Sequence, residues 1–539
     1  MPDAHSILRE ADEARKAQMA HVSLWREAAS FCMPQKAASI GLHNGTAQFR
    51  PDPKLANSVA ISSLSILVSG MVAGITPGAQ EWWQWTPSPY SNHDRVRQWL
   101  LKCTKVAHEA LSASNFVSRV TDLFYHAGGT GTGTIEVQEG TDSPLEFRVL
   151  PIGSYSIVEN GRGVVDRLFR EWKLTVQQAI DLFGEQALPR KLLEGDPSKR
   201  LTQEERFIFA VYPRPVEEQR DLGADGMPIA GCVIHEATKA EVWRGGWEER
   251  PTLTYRFQEG PDGSPWGVGP GVLALCDMRG VNYLDALIAR GVGKMIDPPL
   301  AVVKGSLTGP LDLTRGGVSL VNDPNNRPLP IAEVGRLDVG DAFLSKKEDQ
   351  LRRHFHTELF EAFLNLQREI TRYEAQQRRA EQLDRFAPVF YRTTTEFVNP
   401  LLERVFMILL RRGQFPKPPR EAIVATPSGP KILYPKAIQT SRMAVSFAAI
   451  GQQAFRELMA DLLPVAQVDP TVLDNFNFNA AARLLASGTA ALAEIVRPED
   501  EVEALRAQKA QEAAQQQAIQ IAGQIAGRNP DILANAPAP

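Results

Sequence analysis

The stretch YHAGGTGTGTIEVQEG, Tyr125 to Gly140, places four glycines and three threonines in the seven residues from Gly128 to Thr134. Glycine-rich loops that cradle phosphates mark nucleotide-binding folds, whereas glycines that follow a helix simply end it. A Walker loop needs G-x-x-x-x-G-K-[ST] between a strand and a helix, so that backbone N–H groups and a lysine meet the phosphates. Here the order is reversed: a helix over residues 94–125, then the glycines, then the alternating strand TIEVQ. No lysine follows, and G-x-G-x-x-G is absent. Glycine tolerates positive φ and is favoured at helix C-caps. The stretch therefore predicts a helix-to-hairpin turn, not a nucleotide site.

Working outward, residues 134–260 alternate apolar and polar positions around turns such as ENGRG, which predicts antiparallel strands with a short helix at 176–184. Upstream, residues 3–31 carry apolar side chains at helical spacing up to Pro34, and a second helix ends at Ile75. A short strand holds Trp82, Trp83 and Trp85, whose clustering fits core or subunit-interface packing better than a ligand platform. Downstream, a long helix is predicted from Val272 to Lys294, then a Pro/Gly-rich β insertion. Helix resumes over 341–412 with an interruption near 360–369, and 440–528 reads as Ala/Gln-rich helix before a disordered end. The fold class is α+β, predominantly helical.

With 539 residues, 43% of them hydrophobic and 23% charged, the chain can build several ordinary cores. Its 59 basic and 63 acidic side chains leave a net charge of -4. Tight non-specific binding to nucleic acid rests on phosphate neutralisation by a basic excess, so any DNA contact is local or weak. Four scattered cysteines suggest neither a zinc site nor a disulfide framework. The apolar run VAISSLSILVSGMVAGI is long enough to raise a membrane span, but its four serines favour a packed helix.

Catalytic signatures are scarce. His354, His356 and Glu358 form a tight cluster, yet residues two apart on a helix face opposite ways, and a zinc helix wants i, i+4. No G-x-S-x-G elbow or acidic nuclease motif occurs. No catalytic residue, cofactor or metal is expected. The late helical region carries many cations, among them Lys346, Lys347, Arg352, Arg353, Arg368 and Arg372. Interleaved acids make a salt-bridged helix surface a sufficient explanation. The alternative is that some line a passage for a polyanion, touching phosphates without reading bases.

Four segments in order resemble one family. They are the helix and tryptophans of DPKLANSVAISSLSILVSGMVAGITPGAQEWWQWTP, and the hairpin and helix of VLPIGSYSIVENGRGVVDRLFREWKLTVQQAIDLFG. WGVGPGVLALCDMRGVNYLDALIARGVGKMIDPPL follows, with its D-x-R-x-x-N, and then ITRYEAQQRRAEQLDRFAPVFYRTTTEFVNPLLERVFMILLRRGQFPKPP, with its T-x-x-E. Together they resemble the portal proteins, or head-to-tail connectors, of short-tailed bacteriophages. Where that family usually opens its long helix with M-T-A-T-E, this chain has I-T-R-Y-E, with Arg372 and Tyr373 replacing small residues.

The resemblance implies a dodecameric ring around a DNA channel. Residues 1–267 would be the wing, 268–294 the first stem helix, 295–339 the clip, and 340–360 the second stem helix. Residues 361–439 would hold the tunnel loop and long wing helix, and 440–539 the crown. It also implies partners: the homododecamer itself, the large terminase, tail adaptor or nozzle proteins, major capsid and scaffold proteins, and double-stranded DNA in transit, with no membrane. The expected place is a capsid vertex of the virion, after assembly in the host bacterial cytoplasm. A packaging nuclease or ATPase, or a membrane-inserting ring using 55–76, are the competing readings. Lys346, Lys347, Arg352 and Arg353 would form sparse cationic belts in the channel.

Overall fold

The computed structural model describes residues 3–41, 52–78, 80–87, 94–141, 143–194, 200–219, 226–331 apart from 313, 315 and 316, 337–364, 372–426, 429–432 and 434–447, with short pieces between 458 and 517. Most of the expected helical region 440–528 lies outside the described residues.

Helix α1 (Ala4–Cys32) is followed by the single turn α2 (Pro34–Ala37), so Pro34 opens a new turn at the helix position it suits. Helix α3 (Val59–Ile75) buries Leu64, Leu67, Val68 and Met71. Among the described residues no helix is long and apolar enough to cross a membrane. Strand β1 (Trp83–Thr86) holds two of the three tryptophans; all three are at most 2% exposed, stacked edge-on as core.

The helix expected over 94–125 is two: α4 (Asp94–Ala113) and α5 (Phe116–Thr130). Asn115 breaks it, because its side-chain amide pairs with both the N–H and the carbonyl of Phe147, at 3.0 and 2.9 Å. The glycines also sit differently from expectation. Gly128 and Gly129 lie inside the last turn of α5, and Gly131, with φ of 102°, is the cap. Their partners are the glycines of the segment GSPWGVGPG. A Cβ on Gly271 would fall 2.3 Å from the Gly129 oxygen, and one on Gly269 2.4 Å from that of Ala127. The glycine run thus serves backbone-on-backbone packing.

Strands β2 (Thr132–Glu139) and β3 (Leu145–Leu150) join β9 (Thr252–Arg256) in an antiparallel sheet of order β3-β2-β9. A second sheet runs as a meander through β4 (Tyr155–Glu159), β5 (Val165–Thr175), β6 (Glu204–Pro213), β7 (Ile229–His235) and β8 (Ala240–Trp247). Along β6, Phe207, Phe209 and Val211 face α6 (Val176–Phe183) and α7 (Arg190–Leu193), whereas Ile208 and Ala210 face the first half of α1. A Thr175/Gln178 capping box starts α6.

The chain then enters α8 (Pro270–Leu273) and α9 (Leu275–Ile296), crosses a small module with strands β10 (Leu300–Ala301) and β11 (Leu329–Pro330), and returns as α10 (Leu337–His354). The helix breaks at Phe355 and His356, the latter at φ of 53°, earlier than expected, and α11 (Thr357–Leu364) follows. Residues 365–369 of the expected interruption lie outside the described residues. Helix α12 (Arg372–Arg392) continues through a π-helical turn, Thr393–Val398, into α13 (Asn399–Arg411). Strands β12 (Ile423–Thr426) and β13 (Gly429–Ile432) form a hairpin, and β14 (Lys436–Gln439) pairs with β1.

Candidate nucleic-acid interface

Helices α9 and α10 pack side by side with the β module at their far end. Three residues of α9, the D-x-R-x-x-N positions, fasten it, each toward a different part of the chain: Asp277 to α10, Arg279 and Asn282 to the body. Asp277 meets Lys347 Nζ at 3.2 Å and His354 Nε2 at 3.3 Å, both on α10. Arg279 makes a two-armed bond to Glu27 of α1, both arms 2.7 Å, and holds that carboxyl below its ordinary range. Asn282 Oδ1 accepts from the Ala56 and Asn57 N–H groups, and its amide donates to the Lys54 carbonyl. Asn57 in turn donates to Asp285 on α9 at 2.9 Å and to Glu348 on α10 at 2.8 Å.

On α10, helical geometry sorts the candidate cations by stripe. Gly340, Leu344, Lys347, Leu351 and His354 recur at i, i+4, i+7, i+11 and i+14 and face inward; Leu344 and Leu351 are buried. Val339, Phe343, Lys346, Gln350 and Arg353 lie one residue round and are exposed. Lys346 and Arg353 therefore share a face that Lys347 does not. Arg352 sits on a third stripe, paired with Asp349 at 3.2 Å. Arg353 pairs with Glu358 at 3.3 Å across the helix break, and Lys346 makes no ion pair among the described residues. Arg368 and the side chain of Arg372 lie outside the described residues. Three of the four candidate cations among the described residues thus sit in ion pairs, all exposed or half-exposed and therefore weak.

His354, His356 and Glu358 go to different partners. His354 faces Asp277, Glu358 faces Arg353, and His356 lies edge-on to Phe386, where burial lowers its pKa. Sequence reasoning missed the anchors Glu27 and Asn57. The D-x-R-x-x-N spacing was visible, but its partners lie more than 200 residues away.

The chain's own surface then separates this pair from the rest. Fifteen of the twenty-six large hydrophobic side chains that the described residues leave exposed fall between Leu273 and Phe343.

Residues 4–496 match the family described as bacteriophage head to tail connecting protein, and the chain belongs to that family. Its relatives include a protein named "Probable portal protein" from Bordetella phage BPP-1, 25% identical over 524 residues, which are 94% of this chain and 90% of that one. "Portal protein" of Salmonella phage epsilon15 is 22% identical over 536 residues, 98% of this chain and 94% of the relative. Among solved structures, a chain of the virion of a native gene transfer agent particle aligns at a TM-score of 0.36 and 11% identity, over 83% of this chain and 95% of that one. By its family and these two relatives the protein is a phage head-to-tail connector of the portal kind.

Proposed function

We propose that about twelve copies of this chain close a ring at one capsid vertex, a symmetric assembly of the closed cyclic type. In this reading α9 and α10 are the stem helices, the β10–β11 module is the clip, and the five-stranded sheet with its helices is the wing. DNA passes through the centre during packaging and ejection, while the clip docks the terminase and later the tail adaptor. The supporting observation is the concentration of exposed apolar side chains between Leu273 and Phe343, a surface that soluble chains keep covered by a partner. End-on electron-microscope views of the purified protein test it. Rings with a central channel near twelvefold are expected, and a compact closed dimer with a deep cleft would sink the reading.

Within such a ring Lys346, and Arg353 once freed from Glu358, would form the cationic belts, touching phosphates weakly because the chain as a whole carries a net charge of -4. Replacing Lys346 and Arg353 together by alanine should reduce packaging or genome retention more than replacing the inward Lys347 and the Asp349-paired Arg352. Equal behaviour of the two double variants in a packaging assay would remove the belt.

A further inference from the structure

The tip of the β4–β5 hairpin is firmly held, and its Arg162 makes no ion pair among the described residues. Asn160 Oδ1 accepts from the Arg162 and Val164 N–H groups at 2.9 and 3.2 Å, and Gly163 turns the chain at φ of 76°. Behind the tip, Arg256 is 3% exposed and donates to Glu159 at 2.6 Å, to the Gly163 carbonyl at 2.8 Å and to Glu396 at 2.7 Å. Arg392 donates to Glu396 and to Glu259, both at 2.9 Å. These two guanidiniums thus share three carboxylates, of which Glu259 and Glu396 also line the cavity in front of them.

Two more arginines, Arg162 and Arg250, open on the same cavity, of about 560 Å³. Neither Arg162 nor Arg250 makes an ion pair among the described residues. Arg250 donates one N–H to the Val165 carbonyl at 2.5 Å; a guanidinium has five. Burial lowers the pKa of Arg250, and the carboxylates of Asp166 and Glu403 oppose that shift.

We propose that this cavity is an oxyanion site that takes a phosphate or carboxylate group between Arg162 and Arg250. Guanidinium forks match either group with paired hydrogen bonds, and the Asn160 turn fixes the Arg162 backbone in advance, which lowers the ordering cost of binding. The Thr252 side chain on the wall adds a hydroxyl, and Tyr391, 60% exposed, stands at the rim. The volume suits a group carried on a larger molecule rather than a bare ion.

Calorimetric titration of the full-length protein with inorganic phosphate and, separately, with citrate at constant ionic strength tests the site. Saturable binding of at least one anion is expected, weakened at least tenfold by Arg162→Ala and less by Arg162→Lys, which keeps the charge but not the fork. Tighter phosphate binding assigns a phosphate ligand, and tighter citrate binding a carboxylate one. Arg162 is exposed at a hairpin tip, so an unchanged unfolding midpoint should accompany the loss. Absence of saturable binding with both anions, or binding indifferent to Arg162→Ala, overturns the proposal.

Discussion

A Cβ on Gly131 would sit 2.2 Å from the carbonyl oxygen of Gly267, on a backbone with φ of 102°. A side chain there meets a left-handed conformation, worth about 1–2 kcal/mol against an L residue, and a collision with fixed backbone. Gly131→Ala should therefore cost about 2–4 kcal/mol. Gly161→Ala, at a hairpin tip with nothing within 4 Å, should stay within about 0.5 kcal/mol. Urea midpoints of the two variants decide it, and equal costs would mean the glycine-on-glycine contact is loose. A second residue-scale effect lies in His108, whose ring packs tilted against Trp83. Burial lowers its pKa from 6.5 to about 4, against a hydrogen bond with the Trp83 carbonyl that raises it. Between those two values the unfolded chain binds the proton more readily. Stability is thus full above pH 6.5 and falls as pH drops toward 4, by at most about 1.4 kcal/mol per unit. Buried His126, lowered to about 3, acts in the same direction. His108→Gln should flatten the loss between pH 6 and pH 5 by roughly one proton's worth; identical slopes for variant and parent would show that His108 is protonated in the folded protein.

Elements were legible where one period governs a whole segment. The meander strands, α6 and α9 follow directly from alternation or from i, i+3, i+4 spacing. What stayed hidden depends on partners remote in the chain: Asn115 breaking a helix for β3, β1 pairing with β14 some 350 residues away, and the anchors of α9. The T-x-x-E pair, Thr393 and Glu396, is the clearest case. That spacing often opens a helix as a capping box, yet here it occupies a π-helical turn in mid-helix. Thr393, Thr394 and Thr395 each donate a hydroxyl back to the carbonyl four residues earlier, at 2.7 to 2.9 Å. Glu396 meanwhile receives the Arg256 backbone N–H and two guanidinium bonds. Such turns cost helix regularity and persist where something fixes them; here it is β9 gripping the long helix. Glu396→Ala strips most of the compensation from a buried arginine and should cost about 3 kcal/mol, the low end for a broken buried pair because Glu159 remains. Glu358→Ala, breaking the exposed pair with Arg353, should cost no more than about 0.5 kcal/mol. Denaturant titrations of both variants test the contrast, and a Glu396→Ala cost as small as that of Glu358→Ala would mean the latch holds nothing.

At the scale of the whole molecule, the body and the helix pair differ in what they bury. The body closes around its own core of aromatic and aliphatic side chains. The helix pair does not close: Tyr283 and Leu287, four apart on α9, are 66% and 49% exposed, and Val339 and Phe343, four apart on α10, are 58% and 50% exposed. The α9 stripe is not covered by α10, the pattern of a helix awaiting another helix, whereas Val339 and Phe343 share the α10 face of Lys346 and Arg353. This separates subunit folding from assembly and gives each its own test. Leu287→Glu keeps a good helix former at an exposed position, so the isolated subunit should lose no more than about 0.5 kcal/mol. In a ring the same carboxylate would be desolvated at every interface without a partner, a cost of several kcal/mol each time. The expected result is a variant with the parent's circular dichroism and unfolding midpoint that stays monomeric by light scattering and shows no rings by microscopy. If Leu287→Glu assembles as the parent does, the α9 stripe faces something other than a neighbouring copy. A variant that loses both its fold and its rings would instead show that the stripe is part of the subunit's own core, contrary to the exposure of Leu287.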